Sequence, residues 1–144
     1  GGVLPGLYGG ARIDPQNTKP DNTGIASLVR WQKEGAAGIR AHVASHENGS
    51  SWVEATADAV IPRGVWTNIQ QEVVLNSPGI ADGILRLWID GLLMVERTNL
   101  AWRPDRGLSI AGVAADFSYL SANAASPSDK TEAVRVAAMS IAWQ

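Results

Sequence analysis

Two arginines, Arg30 and Arg40, and one histidine, His42, are the side chains of this sequence best suited to act together on an anionic ligand. A guanidinium is planar, permanently charged and able to grip a carboxylate through two parallel hydrogen bonds. A histidine changes charge near neutral pH and can serve as a general base or as a switchable cation. Arg40 and His42 are two residues apart, the spacing that puts side chains on one side of a β-strand. Trp52, close to the Asn48-Gly49 turn signal, is the tryptophan best situated to offer an exposed flat ring to a sugar. The competing reading of Arg40 and His42 is a solvated face of an edge hairpin, because no carboxylate stands at a helpful sequence spacing from the histidine.

These residues must be held by strands. Turn chemistry recurs at Glu47-Asn48-Gly49-Ser50, Asn76-Ser77-Pro78-Gly79, Asp82-Gly83, Asp90-Gly91 and Arg106-Gly107, separating short runs rich in Val, Ile, Leu and Trp. The pattern predicts strands over residues 24–32, 37–46, 51–60, 66–76, 83–90, 92–97, 107–115 and 132–143. The last of these also carries helix-favouring Ala, Glu and Met, and is read as a strand because a sandwich needs a closing partner there. The expected fold is all-β, an antiparallel two-sheet jelly roll with one curved sheet whose concave side could hold an extended polymer. If residues 24–32 and 37–46 form an antiparallel hairpin, Ala26, Leu28 and Arg30 share a face with Gly38, Arg40 and His42.

Composition narrows the partners. With 144 residues, 45% of them apolar, the chain can bury one core, and it is expected to form a single domain over residues 1–144. A net charge of -2 supplies no basic field for nucleic acid. The apolar run from Gly83 to Val95 is broken by Arg86, Asp90 and Gly91, too short for a membrane helix, so no membrane partner is expected. Cysteine is absent, which removes thiolate nucleophiles and cysteine metal sites. Asp14, Asn17, Asp21 and Asn22 lack the EF-hand spacing, and His42 and His46 are too far apart on a strand to chelate one ion easily, so neither a metal nor a cofactor is expected. Asn48-Gly49-Ser50 fits a glycosylation sequon but reads first as a hairpin turn.

Three segments together carry a family resemblance. Gly1 to Gly10 (GGVLPGLYGG), Trp31 to Val43 (WQKEGAAGIRAHV) and Trp66 to Arg103, with W-x-x-I-x-Q, V-x-L-N-S-P-G, D-G-I-L-x-L-W-I-D-G and N-L-x-W-R in order, resemble polysaccharide lyase family 14. The resemblance implies a jelly roll, a strand over the first segment, and further strands preceding L-P-G-L-Y-G-G in a whole lyase. An edge exposed by their absence would be covered by missing residues or by a second copy of the chain, giving a homo-oligomer. It also implies that Trp66, Trp88 and Trp102 pack in the scaffold. Trp31 and Trp143 are expected in the core as well.

The family's chemistry is β-elimination on uronate polymers such as alginate, carried by a Lys, a Ser-x-Arg pair and a Tyr-x-Tyr pair. Aligned on Trp31, these positions hold Val3, Ala26, Leu28, Arg40 and His42 in this sequence. The resemblance therefore implies a carbohydrate-associated domain that binds an acidic polysaccharide or oligosaccharide through Arg30, Arg40, His42, Tyr8 and Trp52, without the family's catalytic set. The rival reading is an active lyase in which Arg30 or Arg40 neutralises the carboxylate, His42 is the base and Tyr8 the acid. A structural or oligomerising domain is the third. A location outside the cytoplasm fits the first two.

Overall fold

In chain order the strands are β1 (Gly2–Gly10), β2 (Gly24–Glu34), β3 (Gly38–His46), β4 (Val53–Pro62), β5 (Ile69–Val74), β6 (Gly83–Ile89), β7 (Leu92–Leu100), β8 (Ile110–Ala114) and β9 (Ser118–Tyr119). This computed structural model describes residues 2–10, 24–34, 38–46, 53–114, 118–119 and 135–142. Its larger sheet runs β4-β3-β2-β1-β8, with β9 also pairing β1, and its smaller sheet runs β5-β6-β7. Every pairing is antiparallel. The fold is the two-sheet sandwich that the turn spacing predicts.

Alternation builds the core. In β6 the residues Gly83, Leu85, Leu87 and Ile89 are buried while those between them are only partly so. Leu85, Leu87 and Ile89 meet Ile25, Val29 and Ile61 of the larger sheet, and Trp102 joins the same cluster. Burying one such side chain contributes about 1.5 to 3 kcal/mol, so a handful of facing pairs suffices to hold the sheets together. A polar link crosses between the sheets: the Gln71 amide donates to the Ser27 hydroxyl at 2.7 Å. With Ile25 and Val29, it fixes the odd-numbered side of β2 as the one facing the smaller sheet.

Local chemistry sets where strands bend and stop. Asp90 and Gly91 both have positive φ, 49° and 80°, as a two-residue hairpin between twisted strands requires. On β1, Leu4 pairs with Val29 but Leu7 with Ser27, so Pro5 and Gly6 form a bulge. Only glycine fits at position 6, because a Cβ there would lie 2.3 Å from the Ser27 carbonyl oxygen. That explains the P-G step within L-P-G-L-Y-G-G.

Several boundaries differ from expectation, for identifiable reasons. The strand expected over 66–76 is trimmed to Ile69–Val74 because Asn68 N–H donates to the Asp90 carboxylate at 2.8 Å and its carbonyl accepts from Asp90 N–H at 2.8 Å. The strand expected over 107–115 begins at Ile110, since the Leu108 carbonyl accepts from the Arg103 guanidinium at 3.2 Å. The closing strand expected over 132–143 is contradicted: residues 135–142 form no strand and are all exposed. There Val136 falls out of phase with Met139 and Ile141, so an extended strand would show an apolar side chain on each side and bury neither cleanly. Trp143 lies outside the described residues. Trp66, expected to pack in the scaffold, is 66% exposed, because it precedes β5 by three residues and belongs to neither sheet. Trp102 is buried as expected, and Trp31 and Trp88 are half-buried.

Candidate functional site

The even-numbered side of β2 points away from the smaller sheet, and its register decides what surrounds it. Arg30 stands opposite Val3 on β1 and opposite His42 on β3; His42 in turn stands opposite Thr56 on β4. Ser118 of β9 faces Val3, so Ser118, Val3, Arg30, His42 and Thr56 form one row across five strands. The neighbouring row holds Gln32, Arg40 and Val60. Directly opposed residues share a side of a sheet, and diagonal ones stand about 7 to 8 Å apart. Arg30 and Arg40 are such a diagonal pair, with His42 and Gln32 at the other two corners.

Exposure shows where this side can be reached. Ala26 and Leu28, at one end of β2, are 3% and 1% exposed. Arg30 is half-buried with its Nε excluded from solvent, and Gln32 is exposed. Val60, in the Gln32 row, is 37% exposed. The face is thus open at the Arg30 and Gln32 end and closed at the Ala26 end. The space lined by Leu7, Ser27, Val73 and Trp102 between the sheets is almost wholly apolar and has no room for a bound molecule.

Of the residues singled out from sequence, the structure brings Arg30, Arg40 and His42 into adjacent rows and sets Tyr8 apart. Tyr8 pairs with Ala26 and Gly112, four β2 residues from the Arg30 row, which is about 13 Å along the strand. Its ring lies over Gly112 of β8, where a Cβ would stand 3.2 Å from the phenol oxygen. The phenol therefore leans away from β3. Trp52, the Asn48-Gly49-Ser50 turn and the loop of Asp14, Asn17, Asp21 and Asn22 lie outside the described residues. Among the described residues no group of three His, Asp or Glu could hold a metal ion.

Leu28, aligned with the family's arginine when Trp31 is the anchor, pairs with Ala44, and the row of Val3 and His42 holds Arg30. Gln32 escaped sequence reading. Gln32 has the same parity as Arg30 and was legible from alternation alone.

The family model of polysaccharide lyase 14 matches residues 1–131. The chain belongs to this family. It is accordingly a jelly roll of a carbohydrate-active family. Among solved structures it is similar to the alginate lyase Aly36B, with a TM-score of 0.62 at 16% identity over 83% of this chain. It is also similar to a doubly substituted mutant of that lyase in complex with alginate tetrasaccharide, with a TM-score of 0.65 at 15% identity over 84% of this chain. The chain spans about half the length of these structures, 53% of each. At such identities the likeness is one of fold. No curated protein sequence matches the chain.

Proposed function

We propose that the open face around Arg30, Gln32, Arg40 and His42 binds an acidic oligosaccharide or polysaccharide and does not cleave it. The observation that carries this reading is the diagonal of Arg30 and Arg40 across the β2–β3 pair, with His42 and Gln32 completing the square. Two arginines at diagonal register positions, about 7 to 8 Å apart along the backbone, suit two carboxylates on one extended chain better than a single small anion. Membership of a polysaccharide lyase family and the alginate tetrasaccharide bound by a structural neighbour support a uronate polymer as the ligand class.

Elimination needs a base at the proton beside the carboxylate and an acid at the departing oxygen, both around one glycosidic linkage. With His42 as base and Tyr8 as acid, the two rows are about 13 Å apart, too far for one linkage. The sequence positions aligned with the family's lysine and tyrosines hold Val3, Arg40 and His42. Losing members of a catalytic unit removes most of its rate. Incubation with alginate and with glucuronan, followed by ultraviolet absorbance of the unsaturated product, is expected to give no signal above the buffer blank. Turnover abolished by His42→Gln would replace this proposal with the lyase.

A further inference from the structure

The two arginines of the proposed ligand face define a direction. From Arg30 on β2 to Arg40 on β3 is one strand across and one row along, and the same step repeated onto β4 ends at Pro62, which pairs with Gly38. Taken the other way from Arg30, the step reaches the Pro5-Gly6 bulge of β1, opposite Leu28. Gly6 and Leu28 are buried, whereas Pro62 is exposed. A saccharide chain laid along both arginine positions therefore meets a closed end beyond Arg30 and leaves the face over Pro62.

Arg63 follows Pro62 directly. β4 ends there in a turn in which Gly64 has a φ of 75°, and β5 begins only at Ile69. Arg63, Val65 and Trp66 are all exposed in this connection, whose far end is held where Asn68 bonds to Asp90. Arg63 makes no hydrogen bond or ion pair among the described residues. Other arginines are already spent: Arg86 is neutralised by Glu72 and Glu96, and Arg103 is taken up by the carbonyls of Asn76 and Leu108. An indole as exposed as Trp66 adds little to the core, but beside an unpaired guanidinium it completes a pair suited to an acidic sugar. The flat ring takes the apolar face of the sugar and the guanidinium takes its carboxylate. We infer that the turn of residues 63–66 is an outer subsite, in which Arg63 and Trp66 bind a uronate unit beyond those held at Arg30 and Arg40. The subsite rests on the proposed function for its ligand class.

Ligand length tests it. An alginate disaccharide has a carboxylate for Arg30 and one for Arg40, whereas a hexasaccharide also reaches the turn. In calorimetric titrations, Arg63→Gln and Trp66→Ala are each expected to weaken hexasaccharide binding about three- to tenfold and to leave the disaccharide unchanged. Both side chains are exposed, so neither variant disturbs the core. The hexasaccharide should also shield the unmodified protein's fluorescence from acrylamide, and that shielding should vanish in Trp66→Phe. Full hexasaccharide affinity in both variants, or an equal loss for disaccharide and hexasaccharide, overturns the subsite. If the unmodified protein binds neither oligosaccharide, the proposed function fails and the subsite with it. If it binds both and the two variants behave as the unmodified protein does, the subsite alone is lost.

Discussion

The Asn76 carboxamide and the Arg103 backbone bond to each other in both directions: Arg103 N–H donates to Oδ1 at 2.8 Å, and Nδ2 donates to the Arg103 carbonyl at 2.9 Å. The same Nδ2 reaches the carbonyls of Ser77 and Ile80 at 2.9 and 3.0 Å. In return the Arg103 guanidinium donates to the Asn76 carbonyl at 3.0 Å and, through Nη1, to Leu108 at 3.2 Å. Asn76 is 1% exposed, so its carboxamide depends on these protein partners. The N-S-P-G turn is thereby tied to the segment that leads from β7 into β8.

Asn76→Ala is expected to leave several part-buried backbone groups without partners. The cost should be about 3 kcal/mol, more than a single exposed hydrogen bond would carry. Urea unfolding would show it as a lower midpoint with an unchanged slope. A loss below about 1 kcal/mol would mean that water or the local backbone takes over the bonds.

The two tryptophans Trp66 and Trp102 should behave oppositely although both belong to motifs of the family. Trp102 is 1% exposed in the core cluster, and its truncation to Ala is expected to cost about 3 to 5 kcal/mol. Trp66 is 66% exposed, and Trp66→Ala should change stability by no more than about 0.5 kcal/mol. Fluorescence checks the same point independently. Iodide should lose part of its quenching in Trp66→Phe and none in Trp102→Phe.

Asp82 gives the fold a pH dependence of known sign. Hydrogen bonds from Ser77, first its hydroxyl and then its backbone N–H, hold the Asp82 carboxyl below its usual 3.8. The backbone contact is 2.6 Å long. A depressed carboxyl stabilises the fold above its unfolded pKa and ceases to do so as pH falls through the folded value. Asp82→Asn should therefore be less stable than the unmodified protein above pH 3.8, with the difference closing below it. A constant difference from pH 2 to pH 7, roughly the span over which carboxyls titrate, would show that the hydrogen bonds do not depend on the charge.

Most of the strands were legible from sequence because turn residues announce themselves: Asp90-Gly91 and Asn76-Ser77-Pro78-Gly79 both stand at turns in the structure. Strand ends were missed where side chains take over the backbone's hydrogen bonds, as Asp90 does for Asn68 and Arg103 for Leu108. Propensity reads no such long-range partner. The sharing of one side by Arg30, Arg40 and His42 followed from alternation within each strand. Pairing between strands did not: the Pro5-Gly6 bulge decides that Val3 pairs with Arg30, and the β4 irregularity decides that Thr56 pairs with His42 while Val60 pairs with Arg40. A one-residue insertion in a strand leaves its mark on register, and register is a property of two strands at once.

The most direct test of the saccharide-binding face is calorimetric titration of the protein with alginate oligosaccharides and with neutral glucan oligosaccharides of equal length. At low salt the acidic ligand alone is expected to bind, and binding should weaken as salt screens the attraction between its carboxylates and the arginines, with a screening length of about 8 Å at physiological ionic strength. Arg30→Gln and Arg40→Gln should each lower the affinity at least about tenfold if the contacts are desolvated, corresponding to roughly 1.5 to 3 kcal/mol per charge-assisted bond. Equal affinity for neutral and acidic oligosaccharides, or full affinity retained in both arginine variants, would contradict the account.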